Sequence, residues 1–280
     1  MPRLYIVATP VGNLEDITFR AARILKEAAA VACEDTRVTR KLLTKYGIKT
    51  RLISCHEHNE ARAAARIVGI LKDGGDVALV TDAGTPLLSD PGHRVVARAA
   101  ENGFEVSPVP GASALLCALA VCGLPFSGFT FLGFLPRSRA RALRALEEAA
   151  SSPRPFVVYE SPKRAASALK LIIEAAGDRP AALCREMTKI YEEVLRGRLS
   201  ELSDGLEGRE TLKGEVVIVV GGPEEGRASL EKDEIKARLA ALKEGGAGFR
   251  EAVAGVSGSA SKNAVYNLAL EVWGRGARKD

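Results

Sequence analysis

Residues 77–92 read VALVTDAGTPLLSDPG. An apolar run from Val77 to Thr81 breaks into a segment with two aspartates, two glycines and two prolines. A continuous apolar run suits a strand covered on both faces, as in a parallel sheet with crossover helices on either side. Turn residues then end the strand, and ligands in open α/β sheets bind at such carboxyl ends. This stretch carries no lysine or arginine, whereas a phosphate-binding loop shows cations or a glycine-rich helix start.

The same rhythm extends outward. Apolar stretches LYIVAT (4–9), AAVAC (29–33), RLISC (51–55) and EVSPVP (105–110) alternate with ITFRAARILKEAA (17–29), RVTRKLLTKYG (37–47), EARAAARIVGILKDG (60–74) and HRVVARAAENG (93–103). ASALLCALAVCG (112–123) closes the series. Strand and helix in alternation predict a parallel sheet with crossover helices. A second α/β block follows Pro125, with strands FTFLGFL, PFVVYE, AALCRE and GEVVIVVG and helices over 139–150 and 164–176. EEVLRGRL (192–199) reads as a less buried, antiparallel strand. At 280 residues the chain is at the size where one core stops growing, so two α/β domains are expected, 1–124 and 125–222. GGPEEGRASLEKDE suggests a polar linker over 223–232, and 233–280 a helical tail.

Composition narrows the class. Hydrophobic residues make up 46% and charged residues 27%, as in an ordinary soluble enzyme. MPRLYIVATPVGN enters a strand without a signal-like leader, and ASALLCALAVCG is too short to span a membrane. Cys33, Cys55, Cys117, Cys122 and Cys184 show no C-x-x-C spacing, which fits buried thiols in a cytoplasmic protein. The net charge of +5 permits a nucleic-acid partner without requiring one.

Polar and turn-forming residues gather at the strand ends: Thr9–Asn13, Cys33–Arg37, Ser54–Glu60, Thr81–Pro86 and Pro110–Ser113, then Leu135–Arg137, Tyr159–Arg164 and Arg185–Lys189. No phosphate loop, complete dinucleotide fingerprint or serine-hydrolase elbow is present. A ligand with a cation, a ribose and an adenine fits the 77–92 loop better than a phosphate-rich one. Asp82 would accept hydrogen bonds from an ammonium or hydroxyls, while the backbone at Ala83–Thr85 reads the rest. S-adenosylmethionine has an ammonium and a sulfonium and no phosphate. Turns and helix caps account for the same loop equally well, and N-capping accounts for Asp35 and Thr36. His56 and His58 flank Glu57 but supply too few ligands for a structural zinc, so no metal is expected.

Two basic stretches stand out. PRSRARALR holds Arg137, Arg139, Arg141 and Arg144; TRVTRKLLTKYGIKTR holds Arg37, Arg40, Lys41, Lys45, Lys49 and Arg51. Solvated helix faces are one reading and a polyanionic substrate the other. In the tail, GFREAVAGVSG and SKNAVYNLALEVW have helix-turn-helix spacing. Phe249, Val253, Val256, Val265 and Leu268 would form a small core, leaving Lys262 and Asn263 near the start of the second helix. A dimerisation or lid module fits equally.

Taken together, TPVGNLEDIT, CEDTR, HEHNE, DAGTPLLSDPG, PGASA, FLGFLPR, YESPKR and REMTK resemble the ribosomal RNA small subunit methyltransferase I family, of the tetrapyrrole-methylase fold. The likeness runs from the first strand through GEVVIVVGG, and the helical tail also looks like that family's own. It implies two α/β domains with a cofactor cleft between them, a homodimer, and S-adenosylmethionine-dependent 2′-O-methylation of a cytidine ribose in the decoding region of small-subunit (16S) rRNA. The substrate would be that rRNA or the assembled small subunit. Carried over, cofactor contacts fall on Pro10, Val11 and Gly12, on Asp82, Ala83, Gly84 and Thr85, and on Gly111, Ala112, Ser113 and Ala114. Tyr159 and the REMTK strand end would close the adenosine side from the second domain.

Methyl transfer to a ribose hydroxyl calls for alignment and a proton acceptor. Candidates are Asp35, Glu34, His56, Glu186 and Lys189, with Glu186 or Lys189 preferred. Arg37, Arg40, Arg137, Arg139 and Lys262 would hold RNA. Two rival readings stand beside this one: a tetrapyrrole (precorrin-type) C-methyltransferase, and a non-catalytic RNA-binding assembly factor.

Overall fold

A computed structural model describes residues 1–207, 214–223, 225–256 and 262–274. The chain divides into two compact units, one of residues 1–118 with 186–192, the other of residues 119–185 with 193–280.

In the first unit β1 (Arg3–Val7), α1 (Phe19–Glu27), β2 (Ala30–Cys33), α2 (Thr36–Lys45), β3 (Leu52–Ser54), α3 (Glu60–Lys72), β4 (Val77–Leu79), α4 (His93–Glu101) and β5 (Glu105–Val109) follow one another. α5 (Ala114–Val121) spans the division between the units. The strands form one parallel sheet in the order β3-β2-β4-β1-β5. Two cores lie on its two faces. Leu4, Ala30, Ala32, Val77 and Leu79 join one with Ile67 and Leu71 of α3; Val7, Val31, Cys33, Ala78 and Val80 join the other with Leu25 and Leu42. Neighbours along each strand thus enter opposite cores, which is why the strands read as unbroken apolar runs.

The second unit holds β6 (Thr130–Phe134), α6 (Arg139–Ala150), β7 (Phe156–Glu160), α7 (Pro162–Ala176), β8 (Pro180–Arg185), β9 (Glu193–Arg198), α8 (Leu199–Glu207) and β10 (Val216–Val220). Their order is β6-β7-β10-β8-β9. β6 and β7 are parallel, whereas β10 inserts antiparallel between β7 and β8. β9 is the half-buried antiparallel edge that its sequence suggests. α7 starts two residues before the expected position, because Pro162 is at home in a first helical turn that leaves its N–H unbonded anyway. α8 is an addition to the sequence reading: LSELSDGLE resembles a loop in composition, but Leu199, Leu202 and Leu206 are buried at helical spacing.

α9 (Glu225–Glu244), α10 (Phe249–Val256) and α11 (Lys262–Trp273) form the tail. The helix α9 opens inside the stretch read as a linker, since Glu, Ala, Leu and Lys there are all good helix formers. It contributes Ile235 and Leu239 to a core containing Phe249, Val253, Val256, Val265 and Leu268, so the expected core residues meet within three helices rather than two. Among the described residues no helix is long and apolar enough to cross a membrane.

Candidate active site

Three loops at the carboxyl ends of β1, β4 and β5 are tied together. The Thr9 N–H donates to the Gly84 carbonyl at 2.8 Å, and the Gly84 N–H donates back to Thr9 at 2.9 Å. Buried Thr9 also donates its hydroxyl to the Thr81 carbonyl at 3.1 Å. The Thr85 hydroxyl reaches the Ala112 carbonyl at 3.2 Å, joining the third loop. The first-unit segments expected to hold a cofactor are therefore neighbours: Pro10–Gly12, Asp82–Thr85 and the 111–114 loop. Gly84 makes the bridge possible. Its φ is +84°, and a Cβ there would sit 3.3 Å from Val11 Cγ1. Gly111 lets its loop lie close to Ala8, whose Cβ would be 3.1 Å from an added Cβ.

Carboxyl groups line the same edge. Asp82 Oδ1 accepts the Asp35 N–H at 3.0 Å. Burial, followed by repulsion from Asp82, Asp90 and Asp35, pushes the Glu34 carboxyl above its ordinary value. Asp90 is also raised, by burial first and then by Asp82, against an opposing hydrogen bond from Thr81. In a half-buried group of like charges, ionisation of one opposes ionisation of the next. Asp35 behaves differently. Hydrogen bonds from the Arg37 guanidinium and from the Arg37 N–H hold it at about 2. It caps α2, and its contacts with Arg37 are at 2.6–3.1 Å. Ser113 contributes one more polar group: its hydroxyl is buried and has no hydrogen-bond partner among the described residues.

HEHNE is largely structural. Glu60 Oε1 accepts the N–H groups of Gly92 and Arg94 at 2.9 and 2.8 Å and so caps α4. Asn59 accepts the His56 N–H, and the rings of His56 and His58 meet edge to face at 6.0 Å.

The distal part of REMTK packs in the first unit, against the TPVGN loop. The Asn13 N–H donates to Thr188 Oγ1 at 3.0 Å. Lys189 lies against Gly12, where an added Cβ would be 2.4 Å from its Cγ. Glu186 Oε1 and Lys189 Nζ form an ion pair at 2.8 Å. This differs from the expectation that REMTK would act from the second domain. A strand end is legible there, but the path of the chain beyond it is not. All four non-glycine residues of positive φ among those described lie in two of these loops: Leu87 and Ser89, and Glu186 and Thr188.

Within the second unit, Tyr159 is half-buried at the end of β7, and Glu160 beside it is buried and paired with Arg164 at 3.1 Å. The cations expected to meet RNA divide. Arg40 and Arg137 are exposed. Arg37 is engaged by Asp35, and Arg139 by Glu174 on α7. Lys262 opens α11, and its side chain lies outside the described residues. Glu34 and Asp90 are the groups that sequence reading undervalues. Their only signal is position at a strand end and in the SDPG turn; their electrostatics come from the fold.

Residues 3–203 match the model of the tetrapyrrole (corrin/porphyrin) methylases. Ribosomal RNA small subunit methyltransferase I of Mesorhizobium japonicum is 44% identical over 97% of this chain and 92% of its own length. The protein of the same name from Pseudomonas aeruginosa is 40% identical over 97% of this chain and 98% of its own. The chain belongs to the ribosomal RNA small subunit methyltransferase I family of tetrapyrrole methylases. Among solved structures, the cobalamin biosynthetic enzyme cobalt precorrin-4 methyltransferase superposes with a TM-score of 0.61 at 19% identity, covering 78% of this chain and 94% of that one. Uroporphyrin III C-methyltransferase of Thermus thermophilus gives 0.56 at 21% identity, covering 78% and 96%. These two likenesses establish the shared fold.

Gly84→Ala is expected to lower the unfolding free energy by about 1–2 kcal/mol, because an L-residue is forced into left-handed backbone beside Val11; denaturant titration measures this. Asp90→Asn should raise the thermal midpoint at neutral pH. The wild-type carboxyl is raised by the fold, so it favours folding when protonated and opposes it as pH rises through its folded value. The variant's advantage should therefore shrink as pH falls. An advantage that grows on acidification would contradict the account in which burial, with repulsion from Asp82, raises this carboxyl.

Proposed function

We propose that this chain transfers a methyl group from S-adenosylmethionine to the 2′-hydroxyl of a cytidine ribose in the decoding region of small-subunit rRNA, in the cytoplasm and as a homodimer. The observation that carries this reading is the joined set of first-unit loops lined by carboxyl groups and free of lysine and arginine between residues 77 and 92. Such a set suits a cationic ligand and disfavours a phosphate-bearing one. Near-full-length relatives named for small-subunit rRNA support the choice of acceptor.

The residues present fit the cofactor. Asp82 has one oxygen occupied by the Asp35 N–H, leaving the other for an ammonium or a ribose hydroxyl. The buried Ser113 hydroxyl, without a hydrogen-bond partner among the described residues, is a donor and acceptor in need of a polar group. Pro10, Val11, Gly12, Ala83, Gly84, Thr85, Gly111, Ala112 and Ala114 offer backbone groups within these loops. When bound, S-adenosylmethionine supplies a methyl carbon on a sulfonium whose departure leaves a neutral thioether.

The chain's own work is alignment and proton acceptance. Asp35, held at about 2 by Arg37, is too weak a base at neutral pH. Glu34 has a raised carboxyl and is better matched to the task. The Glu186–Lys189 pair stands against Gly12 and is the second candidate, as an acceptor or as the clamp that fixes the ribose. Loss of a general base reduces rate by about 10²–10⁴. Glu34→Gln and Lys189→Ala are expected to separate these roles: the base variant loses kcat and the acid limb of its pH profile, whereas the clamp variant has both a lower kcat and a higher KM for RNA.

The decisive experiment combines the purified chain, methyl-labelled S-adenosylmethionine and small subunits lacking the modification. Label on one decoding-region ribose is the expected result. Absence of label with cofactor binding intact would leave a different acceptor or a binding role. Arg137→Glu should reduce the slope of log affinity against log salt by about 0.7, the value for a single phosphate of a single strand, with S-adenosylmethionine affinity unchanged.

A tetrapyrrole acceptor is the competing reading, favoured by the fold of the precorrin and uroporphyrin methyltransferases. Those likenesses are at 19% and 21% identity, against 44% for the rRNA-named relative. An absorbance shift on titrating tetrapyrroles into the protein would reverse that preference.

A further inference from the structure

We infer that Phe134 is a stacking platform for one unstacked base of the RNA substrate, with Arg137 and Arg141 taking the adjoining phosphates. The inference rests on the RNA reading above and names the surface that serves it.

The platform originates in a break in register. Phe131 pairs with Val157, Gly133 with Val158 and Phe134 with Tyr159, so Leu132 is an extra residue in β6. In a regular strand, positions three apart face opposite sides. The bulge, with Gly133 at φ +65°, places Phe131 and Phe134 on the same face, that of Tyr159. Both rings meet Tyr159 edge to face, with centroids at 4.8 and 5.7 Å. Phe134 is nevertheless 57% exposed, at the end of an edge strand. Bulges next to functional sites re-aim a side chain, and this one aims an aromatic ring into solvent while packing fixes its orientation.

The following chain is held as well. Arg164 donates from Nη2 to the Leu135 carbonyl at 3.0 Å, and the same nitrogen lies 3.1 Å from buried Glu160. Glu160 in turn accepts the Ser161 N–H at 2.7 Å. Residues 134–144 carry Arg137, Arg139, Arg141 and Arg144 and no acidic residue. Arg139 is paired with Glu174, whereas Arg137 and Arg141 are exposed and make no ion pair among the described residues. A fixed, exposed ring beside exposed arginines is the chemistry that binds single-stranded RNA, through base stacking and phosphate contact. The excess positive charge favours that occupant over a second copy of the chain, which carries the same charge.

The test uses the full-length protein saturated with S-adenosylmethionine, a labelled single-stranded RNA of decoding-region sequence, and unmodified small subunits. Phe134→Ala should weaken RNA binding by about 5- to 100-fold. Its S-adenosylmethionine affinity and sedimentation should be unchanged. Phe134→Trp should bind as wild type, and Phe134→Leu, apolar but without a π-face, should remain weak. Full binding by the Leu or Ala variant would overturn the platform. So would a loss of cofactor affinity, which would assign the ring to the cofactor, or an altered oligomeric state, which would assign it to a copy interface. If wild type labels the ribose while Phe134→Ala is unimpaired, the platform alone fails. If wild type neither binds the RNA nor labels the subunit, the RNA reading fails and the platform with it.

Discussion

The reciprocal hydrogen bonds between Thr9 and Gly84 are the constraint on which the candidate site depends. β1 and β4 are parallel neighbours, and beyond their carboxyl ends the ladder no longer continues. Two loops leaving a parallel sheet would ordinarily splay apart. Here each closes on the other with N–H···O contacts of 2.8 and 2.9 Å, and Thr85 draws in the loop after β5. Only a residue that tolerates φ near +84° serves at position 84, because the backbone must turn to offer both its donor and its acceptor to Thr9. Preorganisation of the loops follows. A ligand meeting them finds backbone groups already oriented and need not supply the entropy of ordering them.

That rigidity confines charges which the chain would otherwise keep apart. Glu34 and Asp90 are both raised by burial and by Asp82. Arg37, the cation next along the chain from Glu34 and Asp35, is taken by Asp35. The fold therefore stores unfavourable electrostatics where a cation would relieve it. Sites that trade stability for function commonly do so. A protein under selection for stability alone would replace Asp90 with a neutral residue.

Much of this is legible in the residues themselves, for identifiable reasons. The first sheet can be read because each of its central strands feeds two cores, so the apolar runs are unbroken and lie between clear turn residues. The first-unit loops can be located for the same reason, as strand ends. Strand order in the second sheet is not legible. VVIVV is equally apolar in parallel or antiparallel pairing, and only tertiary packing inserts β10 between β7 and β8. α8 is hidden by Ser, Asp and Gly, and the opening of α9 by its charge. The carboxyl cluster is hidden more deeply, since CED and SDP lie more than fifty residues apart in sequence. Repulsion between them exists only once β2 and β4 are neighbours.

Backbone strain gives an independent measure of where the chain is specialised. Leu87, Ser89, Glu186 and Thr188 adopt positive φ without being glycine. Each such residue costs on the order of 1–3 kcal/mol and persists only where its surroundings over-determine it. Around Thr188 that over-determination is visible: its N–H donates to Glu192 at 2.6 Å, its hydroxyl accepts from Asn13, and Lys189 is fixed through Glu186. Glycine would have relieved the strain but would have removed the hydroxyl and the carboxylate that make these contacts. Keeping Glu186 and Thr188 in left-handed backbone therefore retains side-chain chemistry at the expense of stability. That trade is intelligible if the segment against Gly12 acts on a bound molecule, and it has little rationale if the segment is only a connection between strands.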